Sequence, residues 1–487
     1  MSIEKAVGPD GTKYPFERTA NPPRGGMKHT FFAPDRSYVV QFFNDPADGA
    51  NPEMRARLER ILGEYNPTVP NEMRGNTEQT AAYFRERFCW PVAIVENPEF
   101  GIVCPTYPTQ FLFGDDAALT DKLSIRGKDK RSNWFTSSNR KYLRPEQLGD
   151  FRTMLSICIR LARSVRRLHA AGLAHSDLSN NNVLIDPMTG DCVVIDIDSL
   201  VVPGMFPPEV AGTRGYIAPE VLSTMNLARD DPARQLPCIE TDDYSLPVLL
   251  YQYLFHRHPL EGPKIYSTIS AEEDEYQGYG PQATFVENPY DTSNRPPDLH
   301  MTIDDLGPGL KRLFLRAFVD GLHNPNKRPV AAEWEAELEK AWDLLQPCSN
   351  PNCTNKWFIM HDSANPVCPS CGTRVPQDSV VQLRLRKPTG RAGQWRYDRM
   401  LVLYDGLTLH RWHMYAGELR NERAQRDVQA RIVRSGKQWL LVNENMTGMI
   451  SPQGNLVPRG QAILLSNGAV FRTTEQERGR LAEVVCG

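Results

Sequence analysis

The chain has 487 residues, of which 40% are hydrophobic and 24% charged, with a formal net charge of -3. These values exclude a disordered chain and a nucleic-acid-coating protein, and the length points to two or three domains. No basic leader runs into an apolar stretch and no run of about eighteen apolar residues occurs, so the sequence predicts a cytoplasmic protein that is neither exported nor membrane-spanning.

In chain order, "KHTFFAPDRSYVVQFF" (28–43) predicts a β-hairpin around a Pro-Asp turn. "NPEMRARLERILGEYN" predicts an amphipathic helix, and "WPVAIVE" and "FGIVCPTYP" predict further strands. After Asp150 the periodicity becomes helical: "FRTMLSICIRLARSVRRLHAAG" and the dense "TDDYSLPVLLYQYLF" predict two long helices. Pro, Ser and Asn in "QPCSNPNC" mark a boundary, and from Val380 onward short β-rich runs separated by Gly and Asn turns predict an all-β sandwich. The expected class is α+β. Residues 1–107 form a small lobe, 108–346 a mainly helical large lobe, 347–375 a cysteine-bearing ribbon and 376–487 the sandwich. A basic segment at 120–147 and an acidic one at 270–297 are expected to be solvated surface.

The chemistry concentrates in "AHSDLSNNNVLIDPMTGDCVVIDIDSL", residues 174–200. Asp177 and Asn182 lie in a polar loop after a helix, and Asp196 follows the strand "CVVI". Transfer of a phosphoryl group from a nucleotide requires a carboxylate to take the attacking hydroxyl's proton and oxygen ligands for magnesium. Asp177 supplies the first; Asn182 and Asp196 supply the second. These residues resemble the catalytic loop and metal-binding motif of Hanks-type, eukaryotic-like serine/threonine protein kinases. The same order continues in "GTRGYIAPE" (212–220), "DDYSLPVLLYQYLFHRHPLEGP" and "NPNKRPV". The resemblance, over about residues 20–346, implies a bilobal kinase fold. Thr213 would touch Asp177, Asp242 would hold the catalytic loop, and Arg328 would pair with Glu220.

The resemblance places a phosphate-binding lysine at position 41, but that residue is glutamine. "RGGMKHTF" is similar to the loop of with-no-lysine kinases, which implies that Lys28, after Gly25 and Gly26, does this work. Its counter-carboxylate would be Glu59 on the following helix, with Glu64 as the alternative. A competing reading makes Lys28 a solvated loop residue. The nucleotide site expected for ATP and Mg (or Mn) comprises Gly25, Gly26, Lys28, Val39, the hinge residues Cys104, Pro105 and Tyr107, and the metal ligands Asn182 and Asp196. Ser179 and Ser176 stand where such kinases carry a lysine and an arginine. Asp198 replaces the glycine of the metal motif, where it either adds a metal ligand or stiffens the segment.

Cys348 and Cys353, then Cys368 and Cys371, have the spacing of a closed four-thiolate zinc site. The last hundred residues resemble a degenerate forkhead-associated domain, with Trp412, Trp439 and Phe471 as core. The whole resembles bacterial kinases of the tellurite-resistance-associated type. That implies protein substrates, a von Willebrand-type domain protein and a metal-dependent phosphatase as partners, and no membrane or nucleic acid. The function expected is an ATP- and Mg-dependent protein serine/threonine kinase; the alternative is a pseudokinase scaffold acting through its β-module.

Overall fold

The computed structural model describes residues 2–120, 123–205, 207, 212–228, 230–391 and 393–487. A hairpin not anticipated from the sequence comes first: β1 (Ser2–Val7) pairs antiparallel with β2 (Lys13–Arg18). The expected strands follow as β3 (Lys28–Phe32), β4 (Tyr38–Phe43), β5 (Ala93–Val95) and β6 (Gly101–Pro105), in one antiparallel sheet of order β3-β4-β6-β5. Side-chain alternation gives this sheet two working faces. Phe31, Val40, Phe42 and Val103 cluster with Ala6 and Phe16 of the hairpin. Phe43, Ile102 and Cys104 point the other way and receive Met54 and Leu58 of helix α1 (Pro52–Leu62). That helix begins where the Asn51 side chain accepts from the backbone N–H groups of Glu53 and Met54, with Pro52 at the first turn. A second helix, α2 (Glu78–Arg85), precedes β5.

Beyond the sheet the chain becomes mainly helical. After the short α3 (Asn133–Thr136) comes α4 (Phe151–His169), then β7 (Ala174–His175), β8 (Val183–Asp186), β9 (Asp191–Val194) and β10 (Leu200–Val201). β8 pairs with β9 and β7 with β10, so the polar loop between β7 and β8 is tied down on both sides. Then follow α5 (Pro219–Thr224), α6 (Ile239–Phe255), α7 (Ala271–Tyr279), α8 (Gly307–Leu315) and α9 (Ala331–Asp343). Every residue of α6 from Thr241 to Leu254 is buried, in keeping with its dense apolar run from Leu246 to Leu254, which only Gln252 interrupts. Tyr251 of α6 packs edge-on against Phe285 and Phe314, and Phe314 meets Trp334 of α9.

Two expectations for the surface segments need correction. Within the basic segment Lys130 is buried in an ion pair with Asp186 at 2.8 Å, and Phe135 is fully buried. The acidic segment opens with α7, capped by Ser270, but Phe285, Val286 and Asn294 further along it are fully buried.

The chain forms two compact units. One contains the residues up to Gly149, Ser156–Pro297 and Leu313–Glu335, which hold the small sheet, the polar loop and α5 to α7. The other contains Asp150–Leu155, Asp298–Arg312 and Ala336–Gly487. In this second unit, β11 (Leu345–Pro347) and β12 (Trp357–Ile359) form a small hairpin. Two four-stranded antiparallel sheets follow, built from β13 (Val381–Pro388), β14 (Trp395–Leu403), β15 (Thr408–His410), β16 (Val428–Ser435), β17 (Gln438–Asn443), β18 (Ala462–Leu464), β19 (Val470–Arg472) and β20 (Leu481–Cys486), with α10 (Arg411–Met414) after β15. Their orders are β14-β13-β20-β19 and β15-β16-β17-β18. Leu383, Leu403, Ile432, Leu441, Trp439 and Phe471 from the two sheets join one apolar cluster.

The first unit also contains a bidentate ion pair. The Arg328 guanidinium is completely buried, donates at 2.8 Å to each carboxylate oxygen of Glu220 and at 2.9 Å to the Gly321 carbonyl. Removing one partner strands the other's charge. Arg328→Ala is therefore expected to destabilise the fold by about 3–5 kcal/mol, read from denaturant unfolding of the intact chain.

Candidate active site

The site begins with the loop between β7 and β8. Asp242 of α6 accepts the His175 backbone N–H at 2.8 Å and contacts the His169 ring at 3.1 Å, which ties the loop to two helices. The Asp177 N–H donates to His175 Nδ1 at 3.2 Å, so Nδ1 is the acceptor, and Nε2 donates to the Ile195 carbonyl at 3.0 Å. His175 thereby joins the loop to the segment that carries Asp196.

Three donors fix the Asp177 carboxylate. The Thr213 N–H reaches Oδ1 at 2.9 Å; the Thr213 hydroxyl and the Asn182 amide each reach Oδ2 at 3.0 Å. The expected Thr213–Asp177 contact is thus present in the geometry. Asn182 also donates to the Asp177 carbonyl at 2.8 Å, so both of these hydrogen bonds use its amide nitrogen. Asn181, unremarked in the sequence, bonds Thr213 at 3.4 Å and accepts from Arg131 at 3.3 Å.

Lys28 lies on β3 two residues before Thr30, and Thr30 is directly opposite Gln41, whose amide donates to the Thr30 hydroxyl at 3.2 Å. Residues two apart share a face, so Lys28 projects on the same side as Gln41, displaced along the sheet. There it is buried beside the Phe43 ring, with its ammonium 3.0 Å from Asp196 and 2.5 Å from both oxygens of Asp198. The reading of Lys28 as a solvated loop residue is excluded by this burial. Desolvation alone would lower its pKa, but the charges of Asp198 and Asp196 outweigh it and hold the pKa above its usual value. Desolvation would raise the pKa of Asp196, but Lys28 holds it down. Burial pushes Asp198 up, which the Lys28 ammonium opposes. Asp196 adopts the left-handed conformation, φ 62°, so the chain turns sharply and directs Asp196 and Asp198 to one ammonium.

Glu59 does not fulfil its expectation. The buried stripe of α1 is Met54, Arg57, Leu58 and Ile61, and Glu59 falls off it, exposed. Glu64 is exposed as well and pairs with Arg74 at 2.6 Å. Helical spacing in the sequence identified the stripe but not which charged residue would face the lysine.

The remaining nucleotide-site residues surround this centre. Gly25 donates its N–H to the Lys28 carbonyl at 2.8 Å, and the Asn44 side chain holds the carbonyls of Gly25 and Gly26. A Cβ at Gly26 would meet nothing within 4 Å, so the backbone there is open to approach. Val39 pairs with Cys104 across β4 and β6. The Pro105 carbonyl accepts from Cys89, and the Tyr107 hydroxyl bonds Asp129. Tyr107 and Ile195 pack beside the buried Leu184, Val193 and Phe111.

In the second unit the Sγ atoms of Cys348, Cys353, Cys368 and Cys371 all lie within 4.8 Å of one another, with contacts of 3.5 Å (348–371) and 3.8 Å (353–368). Sulfurs tetrahedrally disposed at the zinc–thiolate bond length stand about 3.8 Å apart, so the set fits that ion. Hydrogen bonding from Thr373 holds the exposed Cys371 thiol down to about 6.

Two lobes, a small antiparallel sheet with one helix and a mainly helical part whose polar loop is held by Asp242 of α6, are those of the protein kinase fold. Residues 135–352 match the family model described as the protein kinase domain. The chain is 31% identical over 132 residues to the serine/threonine-protein kinase PknD of Chlamydia felis, covering 23% of this chain and 13% of that relative's length. Two solved structures from Toxoplasma gondii are also similar, each at 15% identity. One, a rhoptry antigen kinase domain, has a TM-score of 0.36 and covers 57% of this chain and 78% of its own. The other, ROP2, is described as a virulence factor with a protein-kinase fold and no enzymatic activity; it has a TM-score of 0.42 and covers 70% and 84%. No described helix is long and apolar enough to cross a membrane.

The support beneath the loop is pH-sensitive. Burial opposes protonation of His169, but the Asp242 hydrogen bond and the charges of Asp242, Asp243 and Glu240 outweigh it and hold the imidazole above its usual 6.5. Desolvation pushes the adjacent Asp243 from 3.8 up to about 7. Both groups bind more protons folded than unfolded. Their stabilisation is complete at low pH and is lost as pH rises, through about 7 for Asp243 and above 6.5 for His169. Tm should therefore fall between pH 5.5 and 8.5, and His169→Gln should flatten the upper part of that decline, as measured by calorimetry.

Proposed function

We propose that the protein is an ATP- and Mg-dependent protein serine/threonine kinase. The observation that carries this reading is the Asp177 carboxylate, fixed by Thr213 and Asn182 in a loop that His175 joins to the segment whose Asp196 pairs with the buried Lys28. Asp177 accepts the proton of a Ser or Thr hydroxyl, and its three hydrogen bonds keep the acceptor oxygens oriented without reorganisation at the moment of transfer. Asn182 Oδ1 and the Asp196 carboxylate would hold magnesium, which when bound neutralises charge on the transferring phosphates. Lys28 grips the phosphates from the strand after Gly25 and Gly26, in place of Gln41. Val39, Cys104, Pro105 and Tyr107 border the purine. The open backbone at Gly26 and the oxygen donor set support this assignment. The "GTRGYIAPE" segment, held to Asp177 through Thr213, favours a peptide substrate. Ser179 is buried and brings no cation to the transferring group, so transfer should be slower than a lysine there would allow.

Phosphoryl transfer to the chain itself and to a basic peptide, followed with labelled ATP and magnesium, tests the assignment. Asp177→Asn should lower the rate by about 10²–10⁴-fold. Lys28→Ala should lose at least about a hundredfold, and Gln41→Ala should change it by no more than about threefold. The reverse order for Lys28 and Gln41 contradicts the relocated lysine.

We further propose one structural zinc at Cys348, Cys353, Cys368 and Cys371. Elemental analysis should find one zinc per chain and none in Cys353→Ser/Cys368→Ser. Strong chelators should lower Tm, because four thiolates left without a metal no longer tie the ribbon together.

A further inference from the structure

We propose that Asp198 is the residue that positions the phosphate-binding lysine, taking the part expected of a glutamate on α1. This rests on the kinase reading above and adds to it a division of labour between two carboxylates. Asp196 is the metal ligand, and Asp198 is the lysine's permanent partner.

The geometry supports each half. Both oxygens of Asp198 lie 2.5 Å from the Lys28 ammonium, against a single contact at 3.0 Å from Asp196. The Lys28 and Asp198 side chains are 10% and 7% exposed, whereas that of Asp196 is 38% exposed and accessible to a ligand. A buried ammonium requires a compensating charge at fixed geometry. Once a divalent ion takes Asp196, Asp198 remains to provide it.

Asp198 is also rigidly mounted. The left-handed turn at Asp196 precedes it. Ser199 follows, its hydroxyl donating to the Asp196 carbonyl at 2.9 Å and its carbonyl accepting from Ser176 at 2.7 Å. Leu200 then pairs with His175 in the β7–β10 ladder. The lysine's partner is therefore set by the catalytic segment, and the pair does not pass through α1. Glu59 and Glu64 are exposed and play no part in it.

Titration with magnesium and a non-hydrolysable ATP analogue tests this, using wild type, Lys28→Met, Asp198→Asn, the double variant and Glu59→Gln, alongside Tm and phosphoryl transfer. Lys28→Met and Asp198→Asn should each weaken nucleotide binding about tenfold or more. The double variant should bind no more weakly than the worse single one, and Glu59→Gln should stay within twofold of wild type. Lys28→Met should lower Tm by leaving the buried Asp198 carboxylate without its counter-ion beside Asp196, and adding Asp198→Asn should recover part of the loss. The double variant carries no isolated charge from this pair, so it tests the coupling even where a single variant folds poorly. Additive losses in the double variant, or a Glu59→Gln loss equal to that of Asp198→Asn, overturn the inference. Wild type that binds nucleotide but transfers no phosphate overturns the kinase reading alone; wild type that binds none overturns both.

Discussion

A lysine ammonium buried between two carboxylates organises the site. Lys28 is the first residue of β3, paired with Phe43 at the open end of a hairpin, while Asp196 and Asp198 come from a turn some 170 positions later, so this contact joins the small sheet to the helical lobe. Ionic groups removed from water attract strongly but are expensive to desolvate, and the arrangement persists only because each carboxylate is held independently of the lysine. The left-handed residue at 196 and the serine bridges at 176 and 199 supply that hold. A flexible segment would relax away from the second acid.

Behind this contact lies a chain of supports of decreasing polarity. The Asp177 carboxylate rests on Thr213 and Asn182, the loop on His175, and His175 on Asp242. Asp242 projects from a helix buried from Thr241 to Leu254, which further along packs Tyr251 against Phe314 and, through it, Trp334. Positional accuracy at the reacting oxygens is thus inherited from close packing several residues away. The Arg328–Glu220 pair fixes the start of α5, just after the segment that returns Thr213 to the loop.

The large-lobe site was legible in the sequence because its residues sit in one polar loop at fixed spacing, and local spacing survives into structure. The absence of lysine at 41 was equally plain, and strand alternation sufficed to bring Lys28 to the correct face. The lysine's partner was not legible. Helical periodicity separates buried from exposed positions, yet Glu59 is next to Leu58 of that stripe and Glu64 lies just past the helix end, and the carboxylates that meet the lysine are distant in sequence. Lys130 was misread for a related reason: a charge in a basic run suggests solvent until its buried counter-ion, Asp186, is known. The β1–β2 hairpin escaped because its strands are mostly half-exposed and lack a clean apolar alternation. Among the cysteines, by contrast, spacing alone anticipated the cluster.

The strand order of the second unit has a consequence for how the chain acquires its structure. β13 lies at the centre of its sheet, between β14 and β20, and its partner residues Val381 and Cys486 are at opposite ends of the β-rich region. The sheet cannot be completed until nearly all of that region has left the ribosome, whereas β3 and β4 pair through a short turn. Closing such a long loop delays productive pairing and lengthens the time that apolar strands such as β13 stand uncovered. During synthesis the sheet bearing the lysine can therefore form well before the β13 sheet of the β-rich unit is complete.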